Sequence, residues 1–447
     1  MDTMNRRAFL GRSGAAALAV GAASTFSINA LGANEKIRVG LMGAGGRGTQ
    51  LLEWFAQRPD VEVVYVADPD TGRYRESVER IEKASKQKPQ EIQDFRRMLD
   101  DKGVDAIINA TPDHWHALGT ILACQAGKDV YMEKPLSHSM WEGRKIVEAT
   151  RKYKRIVQVG MQNRSAKYCH AALEFLRSKD FGDIHFMRVM NSKPRNAIGK
   201  LPNIEVPEGI NYDMWLGPAP MRPFNMNHFH YNWHWFWAYS GGDIINDGVH
   251  QIDLTRWMSG QTYPVSVSST GGMHYFDDDQ ETPDTHVVNW DFGKMTVVFE
   301  QTLWSPYMKK VPTPVREGDG FPNWMFTGTR IEISGTKLFM NLARHGGGWQ
   351  AYDENWNVVK EMHGKFSESN ADHIANFLDC IRTRKEPNAP VEEGHLSTAW
   401  CHYGNIAYRT GRKLFIDPKT EGFVNDAEAD SLLKRKYREP WVVPEQV

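Results

Sequence analysis

Gly43, Gly45 and Gly48 stand between a short apolar run, Lys36 to Met42, and a segment, Thr49 to Gln57, that carries Leu51, Leu52 and Phe55 at helical spacing. They fit G-x-G-x-x-G between strand and helix. The first glycine permits the tight turn, the second lets a pyrophosphate approach the backbone, and the third lets helix close on strand. Unpaired N–H groups at the helix N-terminus favour phosphate, so Gly43, Gly45, Gly46, Arg47 and Gly48 are candidate cofactor contacts. A second strand, Val61 to Ala67, ends in Asp68, about 20 residues past the turn, where the dinucleotide fingerprint places an acidic residue for the ribose hydroxyls. With Asp70 behind it, this carboxylate repels a 2′-phosphate and favours NAD over NADP, although Arg73 nearby keeps NADP open.

Two later strand exits carry reactive residue types. Thr111-Pro112-Asp113-His114-Trp115-His116 follows Val104 to Ala110 and leads into a helix expected from His116 to Gly127, and Glu133-Lys134-Pro135 follows Asp129 to Met132. Ligands of a parallel sheet lie beyond the carboxyl ends of its strands. Thr111, Pro112, His116, Glu133 and Lys134 are therefore further candidate contacts, with Lys134 at the nicotinamide end rather than a solvated turn lysine. The densest cluster, His228 to Trp237, holds three histidines that could ligate zinc. No Glu stands at H-E-x-x-H spacing and hydroxyl oxidation by nicotinamide needs no metal, so we expect none. Part of the cluster reads as core, and part, notably His234 and Trp235, as a sugar platform of ring faces and imidazole hydrogen bonds.

Alternating β and α segments up to about Val157 require a doubly wound parallel sheet with helices on both faces. Beyond it the segments around Phe186–Met190, Val265–Ser268, Val287–Trp290 and Met295–Phe299 alternate polar and apolar, as in a large, open, mostly antiparallel sheet with one covered face. The expected divisions are 1–33, 34–157 and 158–447. Arg164, expected after the first strand of the second half, reads equally as a substrate contact or an interdomain ion pair. Connections at 200–209, 218–223 and 311–322 are the expected site-forming loops. Asp372 to Arg382 and Leu396 to Arg409 read as amphipathic helices, and residues 440–447 as an extended arm of the kind that packs on a neighbouring subunit in a homo-oligomer.

The 447 residues carry 54 Lys and Arg against 55 Asp and Glu, a net charge of −1, which offers no field for nucleic acid or an anionic membrane. Four scattered cysteines exclude a disulfide scaffold and a zinc ribbon. Asn5-Arg6-Arg7-Ala8-Phe9-Leu10, a short Ala/Gly-rich apolar stretch and small residues near Ala30 and Ala33 have the pattern of a twin-arginine export signal, too short for a membrane span. The expected address is periplasmic.

In this order, the glycine turn with Asp68, the Thr111 and Glu133 motifs, Val159-Gly160-Met161-Gln162-Asn163-Arg164, Trp215-Leu216-Gly217-Pro218, Gly248-Val249-His250-Gln251-Ile252-Asp253 and His373-Ile374-Ala375-Asn376-Phe377 resemble the Gfo/Idh/MocA oxidoreductase family. The resemblance implies an N-terminal Rossmann domain, a C-terminal α+β domain with an open sheet, and hydride exchange between NAD and a sugar, polyol or glycoside. It implies Lys134 as the catalytic lysine and His250 as the histidine near the substrate hydroxyl, whereas the residues alone make His250 a core histidine. The family often has Asp four residues before that histidine; here Asn246 stands there with Asp247 next, and these two are expected at the substrate site, where they would orient the His250 ring. Some similar exported proteins use retained NAD to cleave glycosides through transient oxidation at C3. A sugar-binding protein with a vestigial cofactor site is the third reading.

Overall fold

The computed structural model describes residues 36–447; the segment read as an export signal lies outside them. Six parallel strands form the first sheet: β1 (Ile37–Met42), β2 (Val61–Ala67), β3 (Gln90–Ile92), β4 (Ala106–Asn109), β5 (Asp129–Met132) and β6 (Val157–Val159). Their order, β3-β2-β1-β4-β5-β6, places β1 and β4 side by side, so the exits of β1, β2, β4 and β5 open on one crevice. Both faces are covered, and β4 and β5 are buried at every residue, which is why they read as unbroken apolar runs.

The second sheet has ten strands: β7 (Ile184–Met190), β8 (Ser266–Gly272), β9 (Thr285–Asp291), β10 (Thr296–Thr302), β11 (Arg330–Gly335), β12 (Phe339–Ala343), β13 (Trp349–Tyr352), β14 (Val358–Met362), β15 (Leu414–Asp417) and β16 (Gly422–Phe423). Every pairing is antiparallel except β7 with β10. Alternate residues of β9 are buried, the period-two pattern of a sheet covered on one side. The covering helices are Val249–Ser259 and Val391–Thr410, where Trp400 meets Trp290 of β9 at 5.7 Å between ring centroids.

Three expectations change. Val157–Val159 does not open the second half but is the last strand of the first sheet, hydrogen-bonded in parallel to β5, so a boundary after residue 157 cuts through it. The helix expected to begin at His116 starts at Asp113 and carries His114, Trp115 and His116 in its first turns, all buried. The arm packs on its own chain: Trp441, Val443 and Val447 are buried, and the Trp441 ring meets Trp115 at 5.3 Å. Apolar side chains at alternate positions of a short extended segment suffice to hold it there. No helix among the described residues is long and apolar enough to cross a membrane.

Candidate functional site

A cavity of about 650 Å³ runs along the crevice from the glycine turn to the covered face of the second sheet. At one end the turn is shaped by its glycines. Gly43 has φ +92°, and a Cβ there would come within 2.7 Å of the Ala110–Thr111 peptide; one on Gly48 would lie 2.0 Å from the Gly43 carbonyl oxygen. Gly45 and Gly46, in contrast, face open space over the N-terminus of the helix Gly46–Ala56, the cradle a pyrophosphate requires. Asp68 accepts from the Ala44 N–H at 2.8 Å and the Asp70 N–H at 2.9 Å, tying the β2 exit to the turn. Burial lifts its carboxyl to about 6 against the pull of those two N–H groups. The second half closes this end: Asn211 N donates to Pro69 O at 2.9 Å, and His230 meets Asp70 at 3.1 Å. The residues present therefore fit a dinucleotide, with Arg47, Thr111, Pro112, His116, Glu133 and Arg73 all in the walls.

Several of these walls are already bonded. The Arg47 guanidinium donates to Glu133 at 2.8 Å; burial pushes the Glu133 carboxyl up, but Arg47 and Lys134 outweigh it and hold it below the ordinary range. His116, in the cavity wall, is bonded through both ring nitrogens. Its ring bridges two strand exits, Nδ1 at 2.6 Å from Pro135 O and Nε2 at 2.9 Å from Thr111 O. Burial lowers it to about 4, so the neutral ring donates to one of them only. Burial likewise raises Asp113, bonded to Ser240, to about 7.

At the other end Lys134 leaves β5 and donates to the carbonyl oxygen of Asn246 at 2.7 Å. Asn246 sits in a π-helical turn, Ile244–Gly248, directly ahead of the helix Val249–Ser259 that carries His250; such wide turns concentrate at functional sites. Burial first, then Lys134 and Arg344, keep His250 neutral, well below its ordinary value. Its Nδ1 has no partner among the described residues. Neither Asn246 nor Asp247 orients this ring, contrary to expectation. Asn246 donates instead to Asp243 at 3.1 Å, and Asp247 is held by cations, so His250 is positioned by packing edge-on to His345, 4.3 Å away.

Sequence reading missed the cluster behind these residues. Lys193 and Arg195, just past the exit of β7, and Lys310 and Arg344, at other loop and strand ends, converge on Asp243 and Asp247. Burial and the surrounding cations lower Lys310 to about 8 despite Asp247 at 3.0 Å. Of the three expected loops only 311–322 reaches the cavity, through Arg316. The available signals were Lys193 and Arg195 after an apolar strand and the Gly346–Gly348 run after Arg344-His345.

Two expected substrate contacts lie outside the cavity. Arg164 is 4% exposed and bonds Asp253 through Nε at 2.9 Å and a terminal nitrogen at 2.8 Å; it also meets Glu393 and stacks over Trp257. It forms an ion pair, but within the second half rather than between the domains as expected. Trp235 is buried among Trp215, Phe229, Phe236 and Tyr239 because an indole facing a closed aromatic cluster gains more by packing than by solvation. The neighbours Tyr231, Trp233 and His234 line the cavity instead, with the His234 ring stacked on Trp233 at 3.6 Å. Tyr231 O, 2.6 Å from His234 Nδ1, assigns the proton to Nδ1 and leaves Nε2 an acceptor; burial takes this ring down to about 3. His228, His230 and His234 pack at different places, and among the described residues no group of three or more His, Cys, Asp or Glu could hold a metal. Trp235→Ala is expected to cost about 3–5 kcal/mol of unfolding free energy, whereas His234→Ala leaves the melting temperature near wild type and weakens sugar binding. Denaturant unfolding and ligand titration of both variants check the pair.

A 3-2-1-4-5-6 parallel sheet with this turn and a lysine at the β5 exit defines a dinucleotide-dependent oxidoreductase. The chain belongs to the Gfo/Idh/MocA oxidoreductase family: the family's NAD-binding Rossmann fold matches residues 37–161, and its C-terminal alpha/beta domain matches residues 195–285 and 345–443. It is an NAD-binding enzyme. Among curated relatives, the scyllo-inositol 2-dehydrogenase (NAD(+)) of Bacillus subtilis (strain 168) is 26% identical over 86% of this chain and 97% of its own. A glycosyl hydrolase family 109 protein of Stenotrophomonas maltophilia (strain K279a) is 35% identical over 30% of each chain. A levoglucosan dehydrogenase solved with NADH and levoglucosan shares the fold, with a TM-score of 0.65 at 15% identity over 85% of this chain and 99% of that one.

Proposed function

We propose that this enzyme exchanges hydride between NAD and a carbinol carbon of a sugar, polyol or glycoside. The observation that carries the reading is the single cavity that joins the glycine turn and Asp68 to Lys134, His234 and His250. NAD, when bound, supplies the hydride acceptor. Lys134 Nζ, fixed by the Asn246 carbonyl, takes the hydroxyl proton as the carbon is oxidised and returns it in the reverse direction. Neutral His250 presents a ring nitrogen to the same hydroxyl, and His234 Nε2 accepts from a second one. The relatedness to a scyllo-inositol dehydrogenase over nearly its whole length supports the polyol-type substrate.

A second reading has support of its own in the 35% identity to a family 109 glycosyl hydrolase. Here oxidation at C3 acidifies the C2 proton, the aglycone is eliminated, water adds, and hydride returns to C3, so no cofactor is consumed. Incubation of NAD-loaded protein with free sugars, polyols and aryl glycosides, with no cofactor added, separates the two. Accumulating NADH and ketone supports the dehydrogenase; aglycone released over many turnovers without NADH supports the hydrolase; neither outcome with any substrate sinks both. The Arg6-Arg7 segment supports export to the periplasm, which fractionation of cells checks.

Asp68 gives this reading a pH signature. A ribose hydroxyl donating to Asp68 favours its ionised form, so NAD binding releases a proton wherever the free protein still holds one. NAD affinity is therefore expected to fall as pH drops below about 6 and to level off above it. Titrations of stripped protein check the slope. Asp68→Asn should flatten it and erode the preference for NAD over NADP.

A further inference from the structure

We propose that the sugar this site takes is anionic, carrying a carboxylate or a phosphate or sulfate ester. The inference rests on the hydride-transfer reading above and narrows its substrate. At the Lys134 end the cavity is lined, besides the proton-transfer lysine itself, by three cations, Lys310, Arg316 and Arg344, against one carboxylate, Asp247. Behind that wall, Lys193 and Arg195 share Asp243 and the same Asp247. Five cations beside the proton-transfer lysine thus face two carboxylates. Glu317, next to Arg316, makes a third carboxylate and still leaves the cations in excess; Glu133 is paired with Arg47, and burial raises Asp113, bonded to Ser240, to about 7.

The excess is placed for a ligand rather than for the fold. Lys134 and Arg316 form no ion pair within 4.0 Å among the described residues; Lys134 bonds a carbonyl, and Arg316 Nε donates to the His345 carbonyl oxygen at 3.0 Å, which leaves its terminal nitrogens for other partners. Lys310 is 45% exposed at the side chain and reaches the cavity beside its one carboxylate. His345, in the same wall, has Nε2 buried without a partner. Gathering like charges in a partly dry cavity is unfavourable until an anion enters, and the planar Arg forks match carboxylate, sulfate and phosphate oxygens. The phosphates of the cofactor do not supply this anion, since the glycine cradle and Asp68 hold the opposite end.

The test compares matched pairs on NAD-loaded protein: glucuronate with glucose, galacturonate with galactose, glucose 6-phosphate and galactose 6-sulfate with the parent hexoses, as substrates or as competitive ligands. The acidic member is expected to bind about 10- to 100-fold tighter, the range of charge-assisted hydrogen bonds. The advantage should shrink when salt is raised from about 0.05 M to about 0.5 M, and again in Lys310→Gln and Arg316→Gln, while neutral-sugar and NAD binding hold. Preference for uronates or for esters identifies the group, and either supports the inference. Neutral sugars handled as well as their acids, or variants that weaken both alike, would overturn it and leave hydride transfer standing. Failure of every sugar here, and of the polyols and glycosides above, to bind or react while NAD still binds overturns the function itself.

Discussion

Replacing Lys134 with alanine is expected to lower turnover by about 10²- to 10⁴-fold, the range for a positioned proton-transfer group. NAD affinity should change little, because the glycine turn and Asp68 lie at the other end of the cavity. Lys134→Arg is the sharper variant: it keeps a cation near the Asn246 carbonyl but cannot give up its proton, so turnover should stay low. Single-turnover rates with titrated NAD read both effects. A Lys134→Ala protein that still turns over a true substrate at near wild-type rate would make the Asn246 contact purely structural.

Arg164→Leu is expected to cost about 3–5 kcal/mol of stability, because it strands the Asp253 carboxylate, 1% exposed, without its bidentate partner. Ser397 Oγ remains bonded to Asp253 at 2.7 Å and cannot neutralise it. Denaturant unfolding reads the loss. A double replacement, Arg164→Leu with Asp253→Leu, should recover part of it, since two apolar side chains leave no buried charge. Activity per folded molecule should be retained at low temperature, which a substrate contact would not allow.

The first sheet was legible because each local signal agreed with the others. Gly43, Gly45 and Gly48 can serve only a few conformations, Asp68 falls at the spacing the fold imposes, and β4 and β5 are apolar on both faces. Lys134 could be placed at the cavity because strand exits converge by topology alone. The second half was less readable. Which member of an aromatic run turns inward depends on the surface it meets, so Trp235 and His234 could not be told apart by type. The cation wall draws on residues from 134 to 344, and no local period links Lys193 to Arg344. Arg164 illustrates the same gap, since its partner Asp253 is 89 residues away.

The π-helical turn Ile244–Gly248 carries a consequence for how such a site can change over time. One turn there holds a residue more than an α-helix would; the Lys134 anchor, Asn246, stands within it and His250 two residues past its end. Deleting a single residue would restore α-helical winding and swing one side relative to the other by about 100°. The anchor and the imidazole would then face different walls. Chain length at this turn is therefore under tighter constraint than side-chain identity around it. New substrates are expected to arise by exchange of residues such as Lys310 and Arg316 on the loops, with the number of residues between Gly242 and His250 held fixed.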